Sequence, residues 1–153
     1  MADTAEARPS DGAELQIEFP RKPEYVRTVR QAVATLARLA GADDGAVEDI
    51  KLAVSEACNT AVNRPGPTGE NAVELFAQPG PDGLVVELLD PEATFEHPVA
   101  GPPDEISTED LPFEHALAVP IIRGLAVEVA VEPLSGGGTR LRMVLSLEPT
   151  GAA

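Results

Sequence analysis

The stretch DIKLAVSEACNTAV, which runs from Asp49 to Val62, decides the fold of this chain. Apolar residues in and just before it recur at intervals of three and four, which places them on one face of a helix. They are Val47, Ile50, Val54, Cys58 and Ala61. Asp43 or Asp44 can cap the start of this helix, and the Pro-Gly-Pro sequence at 65–67 stops it. We therefore predict a helix that packs one face into a core.

A strand and a second amphipathic helix are predicted before this stretch. Glu14–Phe19 alternates polar with apolar residues, as a half-buried strand does, and Pro20 ends it. Pro23 stands where a first-turn proline belongs, and Gly41 closes the helix that follows. The apolar face of that helix consists of Val26, Val29, Val33, Leu36 and Ala40.

After the central stretch, the chain predicts two hairpins separated by a loop and a helix. The first hairpin joins Asn71–Gln78 to Leu84–Asp90 around the turn 79–83. Residues 91–110, rich in proline and acid, show no period and are expected to be a long loop. The remaining elements are a helix over Phe113–Ala126, broken or kinked at Pro120, and a hairpin of Val127–Glu132 with Arg140–Leu147 across Ser135–Gly138.

This order of elements favours an α+β fold. Hairpin-connected strands with three helices predict a two-layer α/β sandwich, with helices on one face of a mostly antiparallel sheet. The length of 153 residues fits one domain, which we place at 14–148. Residues 1–13 and 149–153 are small and polar, and we expect both to be disordered tails.

Composition limits the classes of function. The chain has 26 Asp and Glu against 11 Lys and Arg, so its formal charge of −15 would repel nucleic acid and anionic lipid, and neither is an expected partner. Aromatic residues make up only 3%, so the core must be aliphatic. Cys58 is the single cysteine and is expected to be an inert buried thiol. Because the N-terminus lacks the pattern of a signal peptide and no window is apolar enough to span a membrane, we expect a cytoplasmic protein.

The segment LAVSEAC at 52–58, followed by Ala61-Val62, resembles the helix that opens the nucleotide site in RsbW/SpoIIAB-like anti-sigma factors. These proteins belong to the histidine-kinase-like ATPase superfamily, also called the Bergerat or GHKL fold. The resemblance implies a catalytic role for Glu56 if the chain is active. In the family, an Asn four residues later coordinates magnesium. Here Thr60 holds that position and Asn59 comes one residue early, which on a helix turns the side chain by ~100°.

Later motifs of the family are altered as well. Asp90 matches the Asp that reads the adenine amino group, but Glu92 and Thr94 replace the two glycines that follow in the family. Two glycines of the phosphate-binding lid correspond to Ala116 and Ala118, whereas the Gly-Thr sequence before the last strand is kept at Thr139. The resemblance therefore implies that a set of nucleotide-binding residues is weak or vestigial. That set is Asn59, Thr60, Asp90 and Thr139.

Members of this family hold a sigma factor inactive as dimers, and many phosphorylate a serine of a STAS-type anti-anti-sigma antagonist. By resemblance, we expect a homodimeric anti-sigma factor whose ATP binding and kinase activity are weak or lost, with no metal site of its own. Arg27 and Arg30, on the predicted first helix, are candidate anchors for carboxylates of the sigma factor. The alternatives are an active serine kinase using ATP and magnesium, with Asn59 or Asn63 helping to place the metal, and a ligand-regulated adaptor with another target.

Overall fold

The computed structural model describes residues 14–63, 71–92, 99–102 and 124–148. They form two helices and six strands in the order β1, α1, α2, β2, β3, β4, β5, β6. The helices are α1 (Glu24–Leu39) and α2 (Asp44–Val62). The strands are β1 (Leu15–Phe19), β2 (Val73–Gly80), β3 (Gly83–Asp90), β4 (Val99–Gly101), β5 (Ala126–Pro133) and β6 (Thr139–Leu145). The predicted tails at 1–13 and 149–153 lie outside the described residues.

Both helices begin where the sequence predicts. Pro23 is the N-cap of α1, and its fixed φ of −57° already suits a helix. The Asp43 side chain caps α2 by accepting a hydrogen bond from the backbone N–H of Ala46 at 2.9 Å. Between the helices, Gly41 has a φ of +104°, a conformation that glycine adopts without steric cost.

The six strands form one sheet in the order β1-β2-β3-β6-β5-β4, and each described pair is antiparallel. Together with the two helices, this sheet confirms the predicted α+β fold. β2 extends beyond the predicted Gln78 to include Pro79 and Gly80. Proline is tolerated there because β1 pairs with β2 only as far as Ala77, so the missing N–H faces no partner strand.

Two sequence predictions are wrong in the described residues. Val99–Gly101 is a strand within the segment 91–110 that was predicted to be loop, and three residues are too few to show an alternating pattern. Ala126 begins β5 and Gly124 lies in a turn, so the predicted third helix does not continue to Ala126. Its preceding residues, 113–123, lie outside the described ones.

The core lies between the helices and one face of the sheet. As the sequence predicts, it is aliphatic, and Phe19 is its only aromatic member among the described residues. Alternate residues of β3, such as Val86 and Leu88, face the helices, whereas Glu87 lies on the opposite face. None of the helices in the described ranges is long and apolar enough to cross a membrane.

Cys58 is completely buried on the core side of α2. Desolvation by burial raises the pKa of its thiol to about 12. Because the thiolate is the nucleophilic form, this cysteine is an inert core residue in the folded protein.

Candidate functional site

The end of β3, the start of β6 and the second half of α2 meet at one end of the core. Asp90 and Thr139 are partners in the β3–β6 register. Both side chains lie on the same face of the sheet as Leu88 and Leu141, which is the face toward the helices. Two of the predicted nucleotide-binding residues are therefore neighbours in the sheet.

The carboxylate of Asp90 is bound by Arg21, a residue that the sequence interpretation missed. Nη2 of Arg21 donates to Oδ1 of Asp90, and the two side chains are only 4% and 5% exposed. Arg21 also donates from Nη1 to the carbonyl oxygen of Ala61 and from Nε to that of Asn71, each at 2.8 Å. This guanidinium thus joins the β1–α1 connection to the end of α2, to Asn71 two residues before β2, and to the end of β3.

Glu92 takes part in the same cluster. Its side chain is 3% exposed, and its Oε2 accepts a hydrogen bond from the backbone N–H of Asn71 at 3.0 Å and lies 3.9 Å from Nε of Arg21. The backbone N–H of Glu92 donates to Oδ1 of Asp90 at 3.0 Å. The carboxylate of Glu92 thus lies against Arg21 and the backbone at Asn71. Its substitution for glycine therefore adds a second acid to a buried ion cluster.

The side chain of Thr139, unlike that of Asp90, has no hydrogen-bond partner in the part of the chain that the structure describes. The residue is 1% exposed, and its Oγ1 is shielded from solvent. The preceding Gly138 has a φ of +98°, and a Cβ there would lie 2.7 Å from the carbonyl oxygen of Asp90. Only glycine allows the turn before β6 to approach the end of β3 this closely. The agreement of this Gly-Thr sequence with the family thus has a local packing reason as well.

On α2, Thr60 and Asn59 lie in different surroundings. Oγ1 of Thr60 donates to the backbone carbonyl of Glu56 at 2.9 Å, which commits the hydroxyl proton to the helix itself. Asn59 lines a cleft between α1 and α2 with a volume of about 490 Å³, and Thr60 does not. The residues of this α1–α2 cleft are Arg30, Glu48, Lys51, Leu52, Ser55, Glu56 and Asn59. The one-residue displacement of the Asn therefore turns it toward α1.

The structure separates the two predicted partner-binding arginines. Arg27 is exposed on α1, whereas Arg30 is partly buried in the α1–α2 cleft. Nε of Arg30 is shielded from solvent and has no hydrogen-bond partner within the described ranges. Arg38, in the last turn of α1, is a third cation of this helix and is exposed. Of these three arginines, only Arg30 lines the α1–α2 cleft together with Glu56 and Asn59.

A second group of charges lies on the sheet face away from the helices. Glu87 is 6% exposed, and its Oε2 lies 3.5 Å from Nε of Arg142. Desolvation by burial raises the pKa of the Glu87 carboxyl, while the positive charges of Arg140 and Arg142 oppose that rise. Arg140 also binds Glu132 on β5, through Nε at 2.8 Å. These pairs connect the central strands across the outer face.

Three residues at altered family motifs, Thr94, Ala116 and Ala118, lie outside the described residues. Asn63 is the exposed C-cap of α2. Within the described ranges, no group of three or more His, Cys, Asp or Glu side chains could hold a metal ion.

The chain is similar to known proteins over most of its length. The chain is 30% identical over 143 residues to the serine-protein kinase RsbW of Bacillus pumilus, covering 88% of this chain and 87% of that protein. It is 32% identical over 128 residues to RsbW of Bacillus velezensis, covering 80% and 79%. With RsbW of Bacillus subtilis it shares 30% identity over 127 residues, again covering 80% and 79%.

The family model described as the histidine kinase-like ATPase domain matches residues 19–145, which include every described element from α1 to β6. These matches confirm the RsbW-like resemblance that the sequence motifs indicate. The chain belongs to the histidine kinase-like ATPase domain family.

Proposed function

We propose that this chain is an anti-sigma factor that sequesters a bacterial sigma factor by protein–protein binding. A STAS-type anti-anti-sigma antagonist releases the sigma factor, and the protein acts as a homodimer in the cytoplasm. Support comes from the RsbW-like relatives and from the match of residues 19–145 to the family's domain. We propose that this single domain extends over 14–148. In this proposal ATP binding and kinase activity are weak or lost.

The observation that carries the loss of ATP binding is the ion pair between Arg21 and Asp90. By resemblance, Asp90 would accept the adenine amino group, but its buried carboxylate is already bound by a guanidinium. Adenine would have to displace a cation that also binds two backbone carbonyls. Exchanging a cationic donor for a neutral one would leave the buried carboxylate without its countercharge, which is unfavourable.

The described residues of α2 do not fit a bound magnesium ion either. The family position for the metal ligand holds Thr60, whose short side chain is hydrogen-bonded back to the Glu56 carbonyl and lacks the reach of an Asn amide oxygen. Asn59, the nearest amide, lines the cleft toward α1. Magnesium requires nearly octahedral oxygen ligands, so a ligand turned away by about a quarter of a helical turn is lost to the site.

One observation favours an active serine kinase as the second candidate. Thr139 keeps a buried hydroxyl beside Asp90 that has no partner among the described residues, as a residue that awaits a ligand would. Glu56, the family's catalytic position, is also retained and is only partly buried. An active enzyme would need Arg21 to leave Asp90 when nucleotide binds.

Phosphate transfer separates these two candidates. The protein is incubated with radiolabelled ATP, magnesium and the STAS-type protein that co-purifies with it from the native cell. We expect no label on the antagonist beyond a reaction lacking the protein. Label that depends on Glu56, and is therefore absent with Glu56→Gln, would establish the kinase and overturn our preference.

Sigma binding is tested separately. Each sigma factor of the native cell is purified and titrated with the protein by calorimetry, and transcription by the matching RNA polymerase holoenzyme is measured. We expect one sigma factor to bind and to lose transcription in the absence of ATP. If none binds while another protein co-purifies stoichiometrically, the chain is an adaptor with a different target.

A further inference from the structure

A cavity of about 230 Å³ lies at one corner of the sheet, on the face away from the helices. It forms where β1 ends, β2 begins and β3 ends. Leu89 and Pro91 line this corner cavity, whereas Asp90 between them faces the helices. Its other lining residues in the described ranges are Glu18, Asn71, Ala72, Glu74 and Leu134.

The size and the apolar residues of the corner cavity indicate what it can hold. Four of its lining residues are apolar, and the largest of them that the sheet contributes, Leu89, is only 6% exposed. Pockets that enclose a whole small-molecule ligand have volumes of roughly 300–1,000 Å³, so this cavity is smaller than they are. It therefore suits a single side chain with an apolar stem better than a free ligand.

Two carboxylates from neighbouring strands also line the corner cavity. Glu18 of β1 and Glu74 of β2 are direct partners in the antiparallel register, and both lie on the face away from the helices. Side chains that are direct partners have Cβ atoms about 4.5–5.5 Å apart, and like charges at such a pair destabilise the sheet. A cation placed between these two carboxylates would replace their repulsion by attraction.

The described arginines of this sheet face bind other acids. Arg140 donates from Nε to Glu132 on β5 at 2.8 Å, and Nε of Arg142 lies 3.5 Å from Glu87. Glu18 is exposed and forms no ion pair with any residue that the structure describes. The corner cavity is thus an acidic surface that can receive a cation from outside.

The lining selects among the possible occupants. A phosphate or a carboxylate would be repelled by the two glutamates, so an anion is excluded. A divalent metal ion needs about six oxygen ligands, and no group of three or more metal-binding side chains exists within the described ranges. A long basic side chain fits both parts of the lining, because its methylene stem can cover apolar surface while its charged end stays near the carboxylates.

We propose that the corner cavity binds the side chain of a lysine or arginine presented by a protein partner. Its stem packs on Leu89 and Leu134, and Glu18 and Glu74 bind its charged end. A partner held here lies on the sheet face opposite the helices and leaves α1 and α2 uncovered. The proposal goes beyond the anti-sigma function and does not depend on it.

Blocked amino acids test the chemistry directly. Ac-Lys-NH₂ and Ac-Arg-NH₂ are titrated into the full-length protein at an ionic strength of about 0.15 M, which screens exposed charges. Backbone amide shifts are followed by NMR, and the norleucine derivative Ac-Nle-NH₂ is the control with a stem but no charge. We expect saturable shifts at Glu18, Glu74 and Leu89 with a basic probe, at a Kd on the order of 10 mM. Shifts that are absent, that spread over the whole acidic surface, or that Ac-Nle-NH₂ reproduces would overturn the proposal.

Two substitutions assign the binding to the carboxylates. Glu18→Gln and Glu74→Gln each remove one charge and keep the side-chain size, so each should weaken binding of the basic probe about threefold. Together they should abolish the saturable shifts. Glu14→Gln, at an exposed acid just before β1, is the matched control and should change the Kd by less than about twofold. Because Glu18 is exposed on an edge strand, Glu18→Gln alone keeps the test valid if the double variant fails to fold. Unchanged binding by Glu18→Gln and Glu74→Gln would overturn the proposal.

Spermidine separates a protein side chain from a free polyamine as the source of the cation. Since the corner cavity has room for one basic chain end, the additional charges of spermidine would remain in solvent. We therefore expect spermidine to bind less than about tenfold more tightly than Ac-Lys-NH₂. A larger gain in affinity, with shifts at the same residues, would assign the cavity to a free polyamine and overturn the protein-partner proposal.

Discussion

Replacing Arg21 by Ala tests whether the buried ion cluster is a structural part of this fold. The substitution leaves Asp90 and Glu92 buried, with side chains 5% and 3% exposed, and removes the cation that both approach. Breaking a buried ion pair from one side costs about 3–5 kcal/mol. Each acid keeps one backbone N–H, from Glu92 and Asn71 respectively, so we expect the lower end, about 3 kcal/mol.

Urea unfolding at pH 7, followed by far-UV circular dichroism, measures this loss. Domains of this size have free energies of unfolding of about 5–15 kcal/mol, so Arg21→Ala should still fold but with a much lower midpoint. Arg38→Ala, at an exposed position, should change the free energy by less than about 0.5 kcal/mol. Arg21→Lys should fall between them, because it keeps the charge without the planar fork. A loss below about 1 kcal/mol for Arg21→Ala would refute the reasoning.

Three other residues give independent predictions. Gly138 has a positive φ and its Cβ would lie 2.7 Å from backbone atoms of Asp90 and Pro91, so Gly138→Ala should destabilise the fold by at least about 2 kcal/mol in urea unfolding. In the control Gly136→Ala, the new Cβ meets nothing within 4 Å, so the loss should be smaller. Equal losses of unfolding free energy would contradict the packing argument. Cys58 should react with iodoacetamide about a thousandfold more slowly in the folded protein than in urea, because burial raises the pKa of its thiol from 9.0 to about 12. Rapid labelling of the folded protein would show that the thiol is accessible. The raised pKa of Glu87 means that the folded state holds the carboxyl proton more tightly than the unfolded state does. The protonated Glu87 therefore contributes to stability below the ordinary glutamate pKa of 4.5, and this contribution is lost as pH rises through the folded pKa. Relative to wild type, Glu87→Gln should therefore become more stable as pH rises through that window, and a pH-independent difference in unfolding free energy would contradict the burial cause.

The sequence predicted those parts of the fold that local patterns encode. The periodicity of Val47, Ile50 and Val54, with a cap at Asp43 or Asp44, predicted α2, and alternation and turn residues predicted the described strands other than β4. The register pairs Asp90 with Thr139, which the sequence motifs did not predict. β4 was missed because three residues carry no usable period.

Arg21 could not have been found in the same way. It lies 69 positions from Asp90 in the chain, directly after the proline that ends β1, and no spacing rule connects the two. Only the fold shows that the guanidinium reaches the end of β3. The α1–α2 cleft could not be predicted from the sequence for the same reason. Arg30 and Ser55 line it together because α1 packs beside α2, and their positions within either helix alone do not show this.

In our proposal, the chain keeps the family scaffold, but Arg21 binds Asp90, the residue that would otherwise accept the adenine amino group. A thermal-shift titration of the wild-type protein with ATP and ADP, each with and without magnesium, tests it most directly. We expect no stabilisation at millimolar nucleotide. A nucleotide that bound would stabilise the fold by about 2.7 kcal/mol at a hundredfold excess over its Kd. A melting temperature that rises with nucleotide concentration, above all with magnesium present, would contradict the account.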